Sequence, residues 1–312
     1  MKAVFLGTPE IAVKPLEYLC AKNDVEICAI VTQPDRPSGR GHKLTPPPVK
    51  VKAEELGINV FQTVSIRKDS DLIEKLKSLN ADFFITVAFG QILSQEVIDI
   101  PKSGVINLHA SLLPKYRGAN PIQRAITNGE TKTGVTTMMT DIGLDTGDIL
   151  LVEEIAITPD MTSPELAQKI SDIGGDILYR TMIGLIDGSV KRQKQDDSLA
   201  TKANKFQKQD GLIDFSAGAQ TIHNLVRGLR DWPCAYVEFK GTPLKIMKTS
   251  VADENKISDK TGIILSIEKK GITISTTKGT ILIEELQPQG KKVMKAYDWS
   301  HGVKLTTGDF FK

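Results

Sequence analysis

Lys2-Ala3-Val4-Phe5-Leu6-Gly7-Thr8-Pro9-Glu10 opens the chain with an apolar run, a tight turn and the start of a helical pattern. A run of Val, Phe and Leu suits a strand buried on both faces, and a proline just past the turn suits the first turn of a helix. The alternation then repeats. Strand-like runs rich in Val, Ile and Phe lie at 2–6, 25–31, 82–87 and 104–108, with helix-like segments near 10–21, 47–56 and 69–79. Strands that alternate with helices need crossover connections, so the pattern predicts an α/β fold with a doubly wound, mostly parallel sheet. Residues 133–139 and 148–157 read as two further strands joined by the Asp141–Gly147 loop. A long helix near 163–187 starts behind Ser163-Pro164-Glu165. The first turn has neither Gly-x-Gly-x-x-Gly nor Gly-x4-Gly-Lys-Ser/Thr spacing, so it reads as a tight turn rather than a dinucleotide or ATP site.

The pattern changes after residue 188. Lys191-Arg192-Gln193-Lys194-Gln195-Asp196-Asp197-Ser198 has no apolar content, and 189–206 reads as a linker. A helical segment at 216–230 follows. Five short strand-like runs come next, at 235–240, 243–250, 262–268, 271–276 and 280–286, with Gly241, Gly271 and Gly279 at the turns. This predicts a second, smaller β-barrel domain, OB-like, over 207–312, behind a first domain over 1–188.

At 312 residues, 40% hydrophobic and 25% charged, the chain has the composition of a soluble protein with room for two domains. No apolar run approaches the ~18 residues that span a membrane. The chain starts directly on a strand pattern without a charged, apolar leader, which predicts a cytoplasmic protein. Cys20, Cys28 and Cys234 are odd in number and have no metal-ligand spacing, so neither a disulfide framework nor a metal site is expected. The net charge of +2 conceals an asymmetry. Residues 189–312 hold 21 Lys and Arg against 14 Asp and Glu, whereas residues 1–188 hold 19 against 24. A basic second half can attract a polyanion.

Gly104-Val105-Ile106-Asn107-Leu108-His109 ends a buried-looking strand with two polar side chains two residues apart, hence on one face. In open α/β sheets ligands bind beyond the carboxyl ends of the strands. An amide donor, an imidazole and a nearby carboxylate together suit a carbonyl that becomes an oxyanion, without a covalent enzyme intermediate. Asp145 follows in Gly143-Leu144-Asp145-Thr146-Gly147; by sequence position alone Asp141 and Asp148 compete for its role.

Asn107-x-His109 with Ser111-Leu112-Leu113-Pro114, and Asp145 in its Gly-Leu-Asp-Thr-Gly setting, resemble the signature of folate-dependent formyltransferases. Three more segments resemble the branch of that family acting on methionyl-tRNA. They are Thr32-Gln33-Pro34-Asp35-Arg36-Pro37-Ser38-Gly39-Arg40-Gly41, Lys115-Tyr116-Arg117-Gly118-Ala119-Asn120-Pro121-Ile122-Gln123 and Leu286-Gln287-Pro288-Gln289-Gly290-Lys291-Lys292. Ala119-Asn120-Pro121 departs slightly from that branch's pattern; the catalytic positions match. The resemblance implies a Rossmann-like first domain and transfer of formyl from 10-formyltetrahydrofolate to the amino group of methionine on initiator tRNA. It also implies a monomer and no metal.

The resemblance further implies site residues. Asn107, His109 and Asp145 are expected to be catalytic. Phe89, Gly90, Ile92, Leu93, Ser111, Leu112, Leu113, Pro114 and Asp141 are expected around the folate, with Ser111 either lining that pocket or shaping its loop. Arg36, Arg40 and Lys43 are expected to touch tRNA, because residues 32–52 carry Arg36, Arg40, His42, Lys43, Lys50 and Lys52 against the single acid Asp35. Three other readings share these motifs: formyl transfer to a small amine, hydrolysis of formyltetrahydrofolate, and RNA binding without catalysis. The basic loop and basic second domain weigh against the first two, and convergence of Asn107, His109 and Asp145 would weigh against the third.

Overall fold

The computed structural model describes residues 1–38 and 43–311. The chain forms two compact units. One comprises Met1–Gly118, Thr133–Ile155 and Ala167–Lys202; the other comprises Ala119–Lys132, Ala156–Leu166 and Ala203–Lys312. The expected division into 1–188, a linker and 207–312 cuts the chain at one place, whereas these units interleave. Residues 189–202 group with the first unit.

The first unit is built on a seven-stranded sheet. Its strands are β1 Lys2–Gly7, β2 Glu26–Thr32, β3 Val60–Gln62, β4 Phe83–Val87, β5 Val105–His109, β6 Lys132–Met139 and β7 Ile149–Ala156. The spatial order is β7-β6-β5-β4-β1-β2-β3. β1 to β5 pair in parallel, and β6 runs antiparallel to β5. All five residues of β4 are buried, as a central parallel strand covered on both faces requires.

Helices cover both faces of the sheet. On one, Val4, Leu6, Ala29, Val31, Phe84 and Val105 meet Leu72, Ile73 and Leu76 of helix Ser70–Ser78. That helix starts at Asp69, whose carboxylate accepts from the Leu72 N–H at 3.1 Å, a cap worth about 1 kcal/mol. On the other face lies the long helix Ser163–Asp187. A Cβ on its Gly174 would come 2.7 Å from Leu108 Cδ2, and one on Gly175 2.3 Å from Tyr18 Cβ, so this pair of glycines permits the close approach. Leu108 therefore points towards the long helix, while Asn107 and His109 alternate to the opposite face, the side of Val105.

In the second unit, β8 Ala235–Phe239, β9 Thr242–Ile257, β10 Ile264–Glu268, β11 Gly271–Ser275 and β12 Lys278–Pro288 pair antiparallel in the order β8-β9-β12-β11-β10. Ile246, Ile272, Ile274, Ile281, Ile283 and Leu286 form its core with Ile222, Val226 and Trp299. This is the antiparallel β domain expected from the short strands. β9 runs seven residues past its expected end at 250. Asp253–Ile257 is exposed throughout, so it carries no apolar alternation to mark it as strand.

Candidate active site

The site is assembled at the end of β5. Thr86 on β4 lies in register with Asn107, and its hydroxyl donates to Asn107 Oδ1 at 2.8 Å. The amide is thereby oriented. Its oxygen is occupied, and among the described residues nothing accepts from its Nδ2.

His109 is 6% exposed. Its Nε2 lies 2.9 Å from the Tyr116 carbonyl oxygen. A carbonyl only accepts, so Nε2 carries a proton and donates. Its Nδ1 lies 3.6 Å from Asp145 Oδ2. Tyr116 has φ +62°, and its N–H donates to Thr201 Oγ1 at 2.8 Å, which fixes the peptide that anchors the imidazole.

Asp145 also sits in the left-handed region, at φ +54°. Asp tolerates that conformation better than most residues, which suits a turn. Its Oδ2 accepts from the Gly118 N–H at 2.8 Å, and its backbone carbonyl accepts from Gln195 Nε2 at 2.9 Å. Asp141 shapes the same loop, accepting from the Gly143 N–H and from Thr146 Oγ1. Asp141 is thus committed to the turn, which leaves Asp145 as the loop carboxylate beside the imidazole. A Cβ on Gly147 would stand 1.7 Å from the Met139 carbonyl oxygen, so only glycine fits there.

A cavity of about 560 Å³ adjoins this loop. Ile98, Gly104, Val105, Met139, Thr140 and Gly147 are among its walls. Thr140 Oγ1 is buried and has no hydrogen-bond partner among the described residues. A slot that combines apolar side chains such as Ile98, Val105 and Met139 with charged ones such as Asp141 and Arg192, and that holds one unpaired hydroxyl, suits a flat ring that bears polar groups.

Of the residues expected around the folate, Asp141 lines this cavity. Phe89 and Leu93 are buried in the core beneath the sheet, and Leu113 packs with Met138 and Ile149. Ile92 is 65% exposed. Gly90 has φ +79°, and a Cβ there would meet Gln33 Nε2 at 2.6 Å. Ser111 is fully buried and donates to the Lys115 carbonyl at 2.6 Å, so it shapes the loop. Leu112 Cδ2 would meet a Cβ at Gly134, and Pro114 accepts from the Thr201 N–H. The cavity walls come instead from residues 98–105 and 139–148, together with Arg192 and Lys194.

Backbone pairing and side-chain bonds hold the described part of the basic loop. Arg36–Ser38 and Lys43–Thr45 form an antiparallel hairpin on which Arg36 and Lys43 are exposed. Arg36 donates to Gln33 Oε1, and Gln33 donates in turn to the Phe89 carbonyl. Asp35 is paired with Lys50, and hydrogen bonds from Gln62 and Lys50 hold its carboxyl below the usual carboxylate range. Arg40 and His42 lie outside the described residues.

Sequence reasoning passed over Thr86, Tyr116, Gln195 and Thr201. Thr86 was findable as the polar residue of an otherwise apolar strand. Gln195 sits inside a polar run, where nothing distinguishes a buried glutamine from a solvated one.

Residues 1–182 match the formyl transferase family, and residues 205–304 match the formyl transferase C-terminal domain. A sugar 3N-formyl transferase, crystallised in the presence of dTDP and 5-N-formyl-THF, shares the fold with a TM-score of 0.67 and 23% identity, over 94% of this chain and 99% of that one. The chain is a member of the formyltransferase family. Within it, methionyl-tRNA formyltransferase of Clostridium novyi is 47% identical over 97% of each chain. That of Clostridioides difficile is 47% identical over 99% of each. The chain belongs with the methionyl-tRNA formyltransferases.

Proposed function

We propose that Asn107, His109 and Asp145 carry the reaction of this family, transfer of the formyl group of 10-formyltetrahydrofolate to the amino group of methionine on initiator tRNA. The neutral amine attacks the formyl carbon, and the formyl oxygen takes up negative charge. Asn107 Nδ2 donates to that oxygen, its own Oδ1 being held by Thr86. Because Nε2 of His109 is committed to a carbonyl, Nδ1 is the imidazole's second donor. Asp145 stands 3.6 Å from Nδ1 and takes the proton released by the amine. Collapse breaks the bond to the donor nitrogen, which leaves with a proton, and the formyl amide remains. None of these steps calls for a covalent nucleophile or a metal, and among the described residues no group of three or more His, Cys, Asp or Glu could hold a metal ion.

The pterin occupies the cavity beside residues 139–148, with Thr140 Oγ1 and neighbouring backbone groups as its polar partners. The tRNA is held by the basic hairpin through Lys43 and Arg36, joined by Arg40, and by the basic second domain. The protein works in the cytoplasm, since translation is the process its substrate serves, and the resemblance to its family favours a monomer; no helix of the described residues is long and apolar enough to cross a membrane.

The observation that carries this reading is the presence of an oriented Asn107 amide, its Oδ1 held by Thr86 and its Nδ2 without an acceptor among the described residues, beside the His109–Asp145 couple at one strand end. Its test is formation of formylmethionyl-tRNA from 10-formyltetrahydrofolate and methionine-charged initiator tRNA. Formate release, or labelling of a small amine in preference to tRNA, would overturn it.

A further inference from the structure

We propose that Gln195 is a positioning residue for Asp145, and that the strap 191–201 is a working part of the active site rather than a spacer. The inference rests on the catalytic reading of Asp145 given above.

Gln195 lies in a run of charged residues, yet it is 7% exposed. Its Nε2 donates to the Asp145 carbonyl at 2.9 Å and to the Gly147 carbonyl at 2.7 Å. Its Oε1 accepts from Arg117 Nε at 3.0 Å and from Arg117 Nη2 at 2.8 Å. The two carbonyls only accept and the guanidinium only donates, so the orientation of the amide is unambiguous and all its hydrogen-bonding capacity is used. Glutamate would set an oxygen against two carbonyls, and an apolar side chain would leave both carbonyls and the guanidinium without it. Arg117 is anchored further out by Asp197, at 2.8 Å.

One of the two carbonyls belongs to the left-handed residue whose carboxylate faces His109, and the other to Gly147, two residues on. Holding them fixes the Asp145–Thr146 peptide plane, which leads directly out of the residue aimed at His109, and pins the loop again at Gly147. The strap is itself fixed by the backbone pair Gln193 and Ile149, bonded in both directions at 2.8 and 2.9 Å. At its far end Thr201 accepts from the Tyr116 N–H and, through its carbonyl, from the Arg117 N–H. Tyr116 supplies the carbonyl that anchors His109. One strap thus holds the backbone behind both partners of the His109–Asp145 couple. Their 3.6 Å separation is beyond direct hydrogen-bond range, so a small rotation of either peptide changes what can sit between them.

The test is a double-mutant cycle in the full chain, with kcat and both KM values measured for the parent, Gln195→Met, Asp145→Asn and the double variant, and thermal unfolding as the folding control. Gln195→Met is expected to lower kcat by about 10- to 100-fold, as small misplacements of catalytic groups do, with both KM values within about threefold of the parent. In the Asp145→Asn background the same substitution should cost no more than about twofold, because the group it positions is already lost. Turnover within about twofold of the parent for Gln195→Met, or an equal fold-loss in both backgrounds, would overturn the assignment. Parental turnover in Asp145→Asn would instead overturn the catalytic reading of Asp145, and the inference with it.

Discussion

Thr86→Val isolates the orientation of the Asn107 amide from the amide itself. Valine keeps the β-branched shape and suits the strand, so the substitution removes little but the hydroxyl. In the parent that hydroxyl donates to Asn107 Oδ1 at 2.8 Å from a residue 7% exposed. A buried hydrogen bond of this kind contributes about 0.5–1.5 kcal/mol net, and the same amount is the preference it imposes on which end of the amide faces the reacting oxygen. At about 1.4 kcal/mol per tenfold, kcat is expected to fall by about 2- to 12-fold. That is far short of the ~10²–10³ expected when a donor to the oxyanion is removed outright, as in Asn107→Ala. Stability should fall by about 1 kcal/mol. The assay is the initial rate of labelled formyl transfer to tRNA at saturating concentrations of both substrates, alongside thermal unfolding. Parental kcat in Thr86→Val, with Asn107→Ala severely impaired, would show that the hydroxyl does not orient the amide.

Three further outcomes follow from the same geometry. Gly147→Ala should abolish turnover, because its Cβ would fall on the Met139 carbonyl and displace the Asp145 loop; activity near that of the parent would contradict the close approach. Lys43→Ala should raise KM for tRNA without changing KM for the formyl donor, and should flatten the salt dependence of binding by about one unit of slope if it contacts one phosphate. Arg36→Ala is a less clean test, since Arg36 also bonds to Gln33, which holds the Phe89 carbonyl. The last outcome concerns pH. Burial lowers the pKa of His223 from its ordinary 6.5, opposed by Asp160 and reinforced by Arg227. The unfolded chain therefore binds the proton more readily than the folded one. Stability should fall as pH drops from about 6.5 towards the lowered folded value, and His223→Gln should flatten that part of the unfolding curve; an unchanged slope would remove His223 as its source.

The sheet was legible because parallel strands buried on both faces read as nearly continuous apolar runs, as in Phe83-Phe84-Ile85-Thr86-Val87 with its single polar residue. The helices between them carry caps and prolines that mark their starts. Asn107 and His109 could be placed on one face by counting alone, since a strand has period two. What could not be read was contact made by backbone. The anchor of His109 is a carbonyl, and the ties on Asp145 are the Gly118 N–H and the amide of Gln195, fifty residues on. A polar run betrays nothing of the one residue in it that turns inward. Phe89 and Leu93 illustrate the converse, since apolar side chains beside a site serve the core as readily as a ligand. The end of β9 was missed because solvent on every side erases alternation.

The most direct measurement of the central claim is single-turnover formyl transfer to methionyl-tRNA by His109→Ala, with binding of the formyl donor measured on the same preparation. Loss of the imidazole should slow transfer by ~10²–10³ while donor binding and the unfolding transition stay close to those of the parent. Transfer at the parental rate, with His109 replaced and the donor bound normally, would contradict the assignment of the reaction to this strand end.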